Sequence, residues 1–249
     1  MKRGKIRVGR CIYKNGKRID PSYQGFVPIV VMTKSSKYGS LGPYVLKNDK
    51  GQNMENLWQF SKVYMNVPKS TQKYSRYDRT VIWDHPAEQH VDIIDGKYVI
   101  RSEYINWRNK GINSIYAIRY PVGYKHRHKC LFSLKSDKKG IIDPIPLNYI
   151  ESRKQIYLPL YVDMVKSQKQ FKTLVDMLKN GTNILIIEVD GPHQESLQYY
   201  IDKYKVGSDF IDDNSLLATK DNLNIMLNDE KHPFGHGFCL SIALNNHNN

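Results

Sequence analysis

The chain has little that would tie it to an oxidising compartment or to a membrane. Its 249 residues include three cysteines, Cys11, Cys130 and Cys239, far apart in sequence. An odd, sparse set supplies neither a disulfide framework nor a zinc pattern, so a reducing, intracellular setting is expected. Long apolar runs are missing. The longest, FVPIVVM at 26–32, is interrupted by Pro28 and falls far short of the ~20 residues that span a bilayer. The N-terminal stretch MKRGKIRVGRCIYKNGKRID has no hydrophobic centre and does not read as a secretory signal. A soluble cytoplasmic protein without a membrane partner is the expectation. Acidic charge is scarce in the first half: residues 1–130 hold 25 basic and 9 acidic residues, against 13 and 15 in residues 131–249. Arginine is scarce too, with 11 of the 38 basic residues.

What is present is a net charge of +14 and enough apolar residues, 40%, to bury a core. A basic first half favours polyanionic partners: nucleic acid, nucleotides or phosphorylated substrates. The abundance of Lys, Asn, Ile and Tyr also fits A·T-rich coding, so charge alone does not choose among them.

Residues 1–22 read as an irregular basic arm, followed by one α+β domain over 23–246 with helices around a small sheet. FVPIVVM and ILIIEV (184–189) read as buried strands, and IYAIRYPV and YKHRHKCLFSL as further strands. Helices are expected at 54–65, from Ser102 to near Gly111, over QFKTLVDMLK before the Gly181 stop, over QESLQYYIDKYK and after Thr219, and HPFGHGFCLSIALN reads as a glycine-containing turn and a helix. The segment 148–168 has helical spacing broken at Pro159, so a kink or two short helices are expected. Residues 134–146 are the best surface loop. Mixed, non-alternating elements argue α+β rather than a doubly wound sheet.

Four stretches carry candidate chemistry. In MENLWQFSK, Glu55, Trp58, Gln59 and Lys62 stand at i, i+3, i+4 and i+7, one face of a helix. An acid beside an indole suits acid–base work, while an ordinary polar helix face remains the bland alternative. In YPVGYKHRHKC, Lys125, Arg127 and Lys129 share one face of an extended segment, with Arg119 just upstream. Those cations fit a phosphate site or a charge-guarded strand edge. In EVDGPH, Glu188 and Asp190 come at a strand end, a place for metal or general-base carboxylates, or simply a Gly-Pro turn. In HPFGHG, His232 and His236 have the i, i+4 spacing of a zinc pair, but Pro233, Gly235 and Gly237 speak against a helix there. A Gly-rich turn at Gly235 opening a helix suits phosphate or ribose binding by backbone N–H groups.

The stretch LGPYVLKNDKGQNMENLWQFSK resembles the opening motif of the NADAR family, and HPFGHGFCLSIAL is similar to its closing Gly-rich turn and helix. The whole chain also looks like uncharacterised proteins of large DNA viruses, which would place it in a host cytoplasm. The NADAR resemblance implies an N-glycosidase acting on ADP-ribosyl or related ribose-phosphate substrates. On that basis Glu55 is the catalytic carboxylate, and Gly42, Pro43, Tyr44, Trp58, Gln59 and Lys62 line the substrate. Arg119, Lys125, Arg127 and Gly235 would hold phosphates, and His232 or His236 would assist the leaving base. No cofactor or metal is required. The alternatives are a nucleic-acid-binding protein without catalysis, which stacks bases on its tyrosines, and a metal-dependent nuclease built on Glu188 and Asp190.

Overall fold

The computed structural model describes residues 2–32, 35–66, 69–70, 72–74, 79–82, 89–119, 129–137 and 139–247. In chain order the strands are β1 (Ile6–Arg10), β2 (Ile12–Lys14), β3 (Lys17–Ile19), β4 (Val27–Val30), β5 (Lys62–Tyr64) and β6 (Val81–Ile82). They continue with β7 (Val91–Ile94), β8 (Lys97–Ile100), β9 (Ala117–Ile118), β10 (Cys130–Ser133), β11 (Ile184–Glu188) and β12 (Ser215–Leu217). The helices are α1 (Met54–Gln59), α2 (Ser102–Ile112), α3 (Tyr149–Ser152), α4 (Leu158–Val165), α5 (Lys169–Lys179), α6 (Leu197–Tyr204), α7 (Lys220–Asn228) and α8 (His236–Asn246). The class is α+β, as expected. The chain groups into two compact units, residues 1–42 with 161–249, and residues 43–160.

The first unit is built on a four-stranded sheet in the order β12-β1-β11-β4. β1 and β4 run parallel to β11, and β12 runs antiparallel to β1. The β-branched run of β11 is buried throughout, as a strand flanked on both sides requires. β4 lies at the edge, where Pro28 costs no ladder bond. One face of the sheet sends Ile6, Val8, Ile29, Ile184, Ile186 and Leu216 into the core, all buried. Each such side chain contributes about 1.5–3 kcal/mol.

The expected basic arm is not an arm: residues 6–10 are an inner strand. Alternation explains it, because Ile6 and Val8 face the core while Arg7 faces the other way. There the guanidinium lies 3.7 Å from the centre of the Tyr23 ring and its Nε donates to Ser215 Oγ at 2.9 Å. Gly9 is bare because Pro21 and Leu185 close over it. The rest of the arm is the β2–β3 hairpin, turned at Asn15–Gly16 with φ of 52° and 74°, the geometry of a two-residue turn.

The second unit holds α1, α2, α3 and three short strand pairs joined by irregular chain. β5 pairs with β10, β6 with β9, and β7 with β8. Its core gathers Val63, Val91, Tyr104 and Leu134. Where a break at Pro159 was expected, a π-turn at Arg153–Tyr157 joins α3 to α4, and Leu158 N–H bonds Arg153 C=O. Proline has no N–H for the carbonyl four residues back, and the wider turn absorbs that loss. Residues 134–137 and 139–146 form the expected loop, pinned by the Ser136–Ile142 bridge.

Candidate functional site

Helix α1 is short and held at both ends. The Asn53 side chain caps it, accepting from Asn56 N–H and donating to Tyr44 C=O at 2.7 Å. Glu55 N–H donates to Pro43 C=O at 3.1 Å. The turn at Pro43–Tyr44 thus meets the helix through backbone groups, and Tyr44 packs on Val81 and Ala117. Gly42 donates its N–H to Gly39 C=O in a one-turn 3₁₀ segment of the first unit. Asn56 is fully buried. Its Nδ2 donates to Ser114 C=O at 3.3 Å and Tyr116 C=O at 2.8 Å, and its Oδ1 accepts from Ile118 N–H at 2.7 Å. Asn53 and Asn56 went unread in the sequence, although Asn one residue before an apolar-periodic run is an N-cap signal.

The helix expected over 54–65 stops at Gln59. Phe60 C=O is taken by the buried Arg108 guanidinium at 2.7 Å, and Ser61 C=O by Leu134 N–H at 2.8 Å. Lys62 therefore belongs to β5 rather than to the helix face. It still returns to that face. Gln59 Nε2 donates to Glu55 Oε1 at 2.6 Å, Lys62 Nζ donates to Gln59 Oε1 at 2.9 Å, and the same ammonium lies 4.6 Å from the centre of the Trp58 ring. Trp58 leans on Tyr157, with ring centres 5.0 Å apart. Glu55 is 6% and Gln59 9% exposed. Carboxylate, amide, ammonium and indole form one connected wall, with the acid at its dry end and the cation at the wetter one.

Arg119 is exposed, and its N–H donates to Ile82 C=O at 3.0 Å. It follows directly on Ile118, which Asn56 ties to α1. Lys125 and Arg127 lie outside the described residues.

The remaining candidates belong to the first unit. Glu188 ends β11 fully buried. Its Oε1 accepts from Gly237 N–H at 2.8 Å and its Oε2 lies 3.0 Å from His236 Nδ1. His236 Nε2 is 3.0 Å from Val31 C=O. Both ring nitrogens thus face acceptors. Burial opposes charge on His236, but the Glu188 carboxylate and the Val31 carbonyl outweigh it and raise its pKa. The expectation that the turn at Gly235 presents backbone N–H groups to a phosphate is corrected: the protein's own carboxylate fills the start of α8. Gly235 and Gly237 are bare because Glu188 presses on both, and a Cβ on Gly237 would stand 2.6 Å from its Oε1. Asp190 lies beyond the strand and is exposed, so the two acids of EVDGPH point into different surroundings. His232 and His236 do not share a helix, since α8 begins at His236. His232 Nδ1 instead lies 2.6 Å from Asp229 Oδ2. Among the described residues no three His, Cys, Asp or Glu side chains group as metal ligands. No described helix is long and apolar enough to cross a membrane.

No family model, no curated protein and no solved structure matches the chain.

Proposed function

We propose that the protein hydrolyses an N-glycosidic bond beside a ribose phosphate, with the wall on α1 as its catalytic face and ADP-ribosyl groups within its substrate class. The carrying observation is the Glu55 carboxylate, 6% exposed and tethered by Gln59 while Lys62 stands over Trp58. Cleavage of such a bond passes through an oxocarbenium-like cation. A carboxylate held in a nearly dry setting stabilises that cation more than water does. Trp58 offers a ring for the base, Lys62 a movable charge for a phosphate, and the Gln59 amide keeps the acid oriented. Cys11 and Cys239 are buried and in no disulfide, which suits the reducing, intracellular setting of such a substrate.

The test is incubation with ADP-ribosylated guanosine and simpler N-ribosides in EDTA, followed by chromatography for the released base. Glu55→Gln keeps an acceptor for Gln59 and removes the charge. It is expected to slow release by two to three powers of ten, the effect of losing about 3–4 kcal/mol in the transition state. Unchanged release in a folded Glu55→Gln protein would remove the assignment, as would the absence of turnover on every riboside.

A further inference from the structure

The second unit carries an open strand edge beside an apolar groove. The turn at Asp95–Gly96 closes the β7–β8 hairpin, whose register sets Val91 opposite Ile100 and Ile93 opposite Tyr98. These four side chains share one face of the hairpin. At its base that face enters the core, where Val91 is buried and Ile100 packs against the same cluster. Towards the turn it leaves the core, with Ile93 59% and Tyr98 49% exposed. A groove of about 480 Å³ runs beside β8. Its lining takes Tyr98 and Ile100 from β8, Phe132 from β10, and Ile142, Pro144 and Pro146 from the loop that follows. The Tyr98 and Phe132 rings stand 6.0 Å apart at their centres. No described residue of β7 lines the groove, so it follows the outer side of β8. Lys97 is the one charged side chain on its walls among the described residues.

The backbone on that side is open. Arg101 N–H donates to His90 C=O at 2.9 Å. In an antiparallel ladder, bonded pairs alternate with unbonded ones. The bonded pairs are therefore 90 with 101, 92 with 99, and 94 with 97, and the N–H and C=O groups of Tyr98 and Ile100 point away from β7. Neither residue makes a hydrogen bond to a described group outside the hairpin. Such an edge is a template for one more strand. The loop along the groove cannot supply it as a continuous ladder, because Pro144 and Pro146 have no N–H and stand two apart, on one side of an extended chain. β8 carries its charge only at Lys97, beside the turn, while Tyr98, Val99 and Ile100 carry none.

We propose that this edge docks an extended segment of a partner protein, which adds a strand antiparallel to β8 and seats alternate apolar side chains in the groove, separate from the face on α1. In this mode main-chain bonds supply affinity and the groove selects side chains. The partner residue opposite Tyr98, and the one two positions before it, opposite Ile100, turn apolar side chains into the groove. The residue between them lies opposite Val99, where a β-branched side chain packs well. The residue that follows the pair faces Lys97, and an acid there complements the ammonium. The recognised pattern is apolar, β-branched, apolar, acidic. A second copy of the chain fits this edge poorly. The register that engages both Tyr98 and Ile100 with their counterparts turns about Val99 and sets Lys97 opposite Arg101 across the two-fold axis, like charges face to face. Each copy would also bring its own 142–146 loop to the shared edge.

The experiment titrates the full chain against fluorescent hexapeptides of that pattern, with Val, Ile, Leu or Phe at the apolar positions, Thr or Val between them, and Glu as the acid. The best should bind with a Kd below about 1 mM, and Ser at either apolar position should weaken it about tenfold or more. N-methylation separates strand addition from adsorption on an apolar surface. In the added strand the amides of the two apolar residues bond β8, and the amide between them points away. A methyl group on either apolar residue's nitrogen should abolish binding, and one on the middle nitrogen should be tolerated. Lys97 is exposed, so Lys97→Glu keeps the fold. It should reverse the preference between Glu and Lys at the fourth position, by about two- to fivefold. Four results would overturn the proposal: no binding of any peptide by the folded chain, equal binding of the N-methyl isomers, a preference unchanged in Lys97→Glu, or self-association of the chain that Tyr98→Lys abolishes. The last would give the edge to a second copy.

Discussion

At the scale of single residues, the side chains that organise the wall on α1 are amides. Asn56 answers three backbone groups, of Ser114, Tyr116 and Ile118, about sixty positions further along the chain. Replacing it by Ala takes that partner from three part-buried backbone groups. A buried orphan costs about 1–3 kcal/mol and water answers part of these, so Asn56→Ala should lower stability by about 1–3 kcal/mol, read from urea unfolding. Asn56→Asp should be worse, because a second oxygen then faces the Ser114 and Tyr116 carbonyls. An equal, small effect of both would mean that α1 is held by packing alone. Periodicity could show that Glu55, Trp58 and Gln59 share a face, because helical spacing is local. It could not show Asn56 as a clamp, since a clamping Asn and a surface Asn look alike until the distant strand is in place. Lys62 shows the converse: its place on the face was legible, but a bent-back strand residue, not a helical turn, puts it there.

At the scale of elements, the segment most misread is the N-terminal one. Its charge suggested a solvated arm, yet β1 lies between β11 and β12 and supplies one side of each ladder. Deletion of residues 1–10 should therefore abolish the fold of the first unit, seen as lost circular dichroism and insolubility. A dispensable arm would come away without cost. Two hairpins were also legible and unread. YKNGKR and VDIIDGKYVI each carry an Asn-Gly or Asp-Gly pair between short runs, and both turn with positive φ, 52° and 74° at Asn15–Gly16, 49° and 73° at Asp95–Gly96. That dipeptide is a strong hairpin signal, masked here by the lysines around it. The end of α1 was not legible at all, because the Arg108 and Leu134 groups that take its carbonyls come from elements far along the chain. The start of α8 tests the Glu188 seat. Gly237→Ala puts a methyl group 2.6 Å from a buried carboxylate oxygen, and such overpacking costs about 1–3 kcal/mol. Gly207→Ala in an exposed loop, where the nearest obstacle is the end of the Asp209 side chain, should cost less in the same urea experiment.

At the scale of the whole molecule, the two units carry histidines of opposite sense, His90 fully buried and His236 partly so. In residues 43–160, His90 Nδ1 accepts from Tyr64 N–H at 3.0 Å, which requires the neutral ring. Burial lowers its pKa to about 4. The unfolded chain, with an ordinary value of about 6.5, then binds a proton that the folded unit refuses. Stability linked to His90 is therefore intact above pH ~6.5 and falls as the pH drops towards ~4, by about 3 kcal/mol in all. In the first unit, His236 donates to Glu188 and faces Val31 C=O, and its pKa is raised. Its contribution is complete below pH ~6.5 and is lost as the pH rises through the folded value. Mild acid should thus loosen residues 43–160 first, and mild base the sheet unit first. Amide hydrogen exchange followed by mass spectrometry, unit by unit from pH 4.5 to 9, reads both trends once intrinsic rates are removed. His90→Asn offers an oxygen to Tyr64 N–H without a titrating ring, so the acid slope of the second unit should flatten even if its overall stability falls. A slope unchanged in His90→Asn would assign the acid sensitivity to carboxylates instead. Parallel loss of protection in both units at each extreme would show that neither histidine sets the pH response of its own unit.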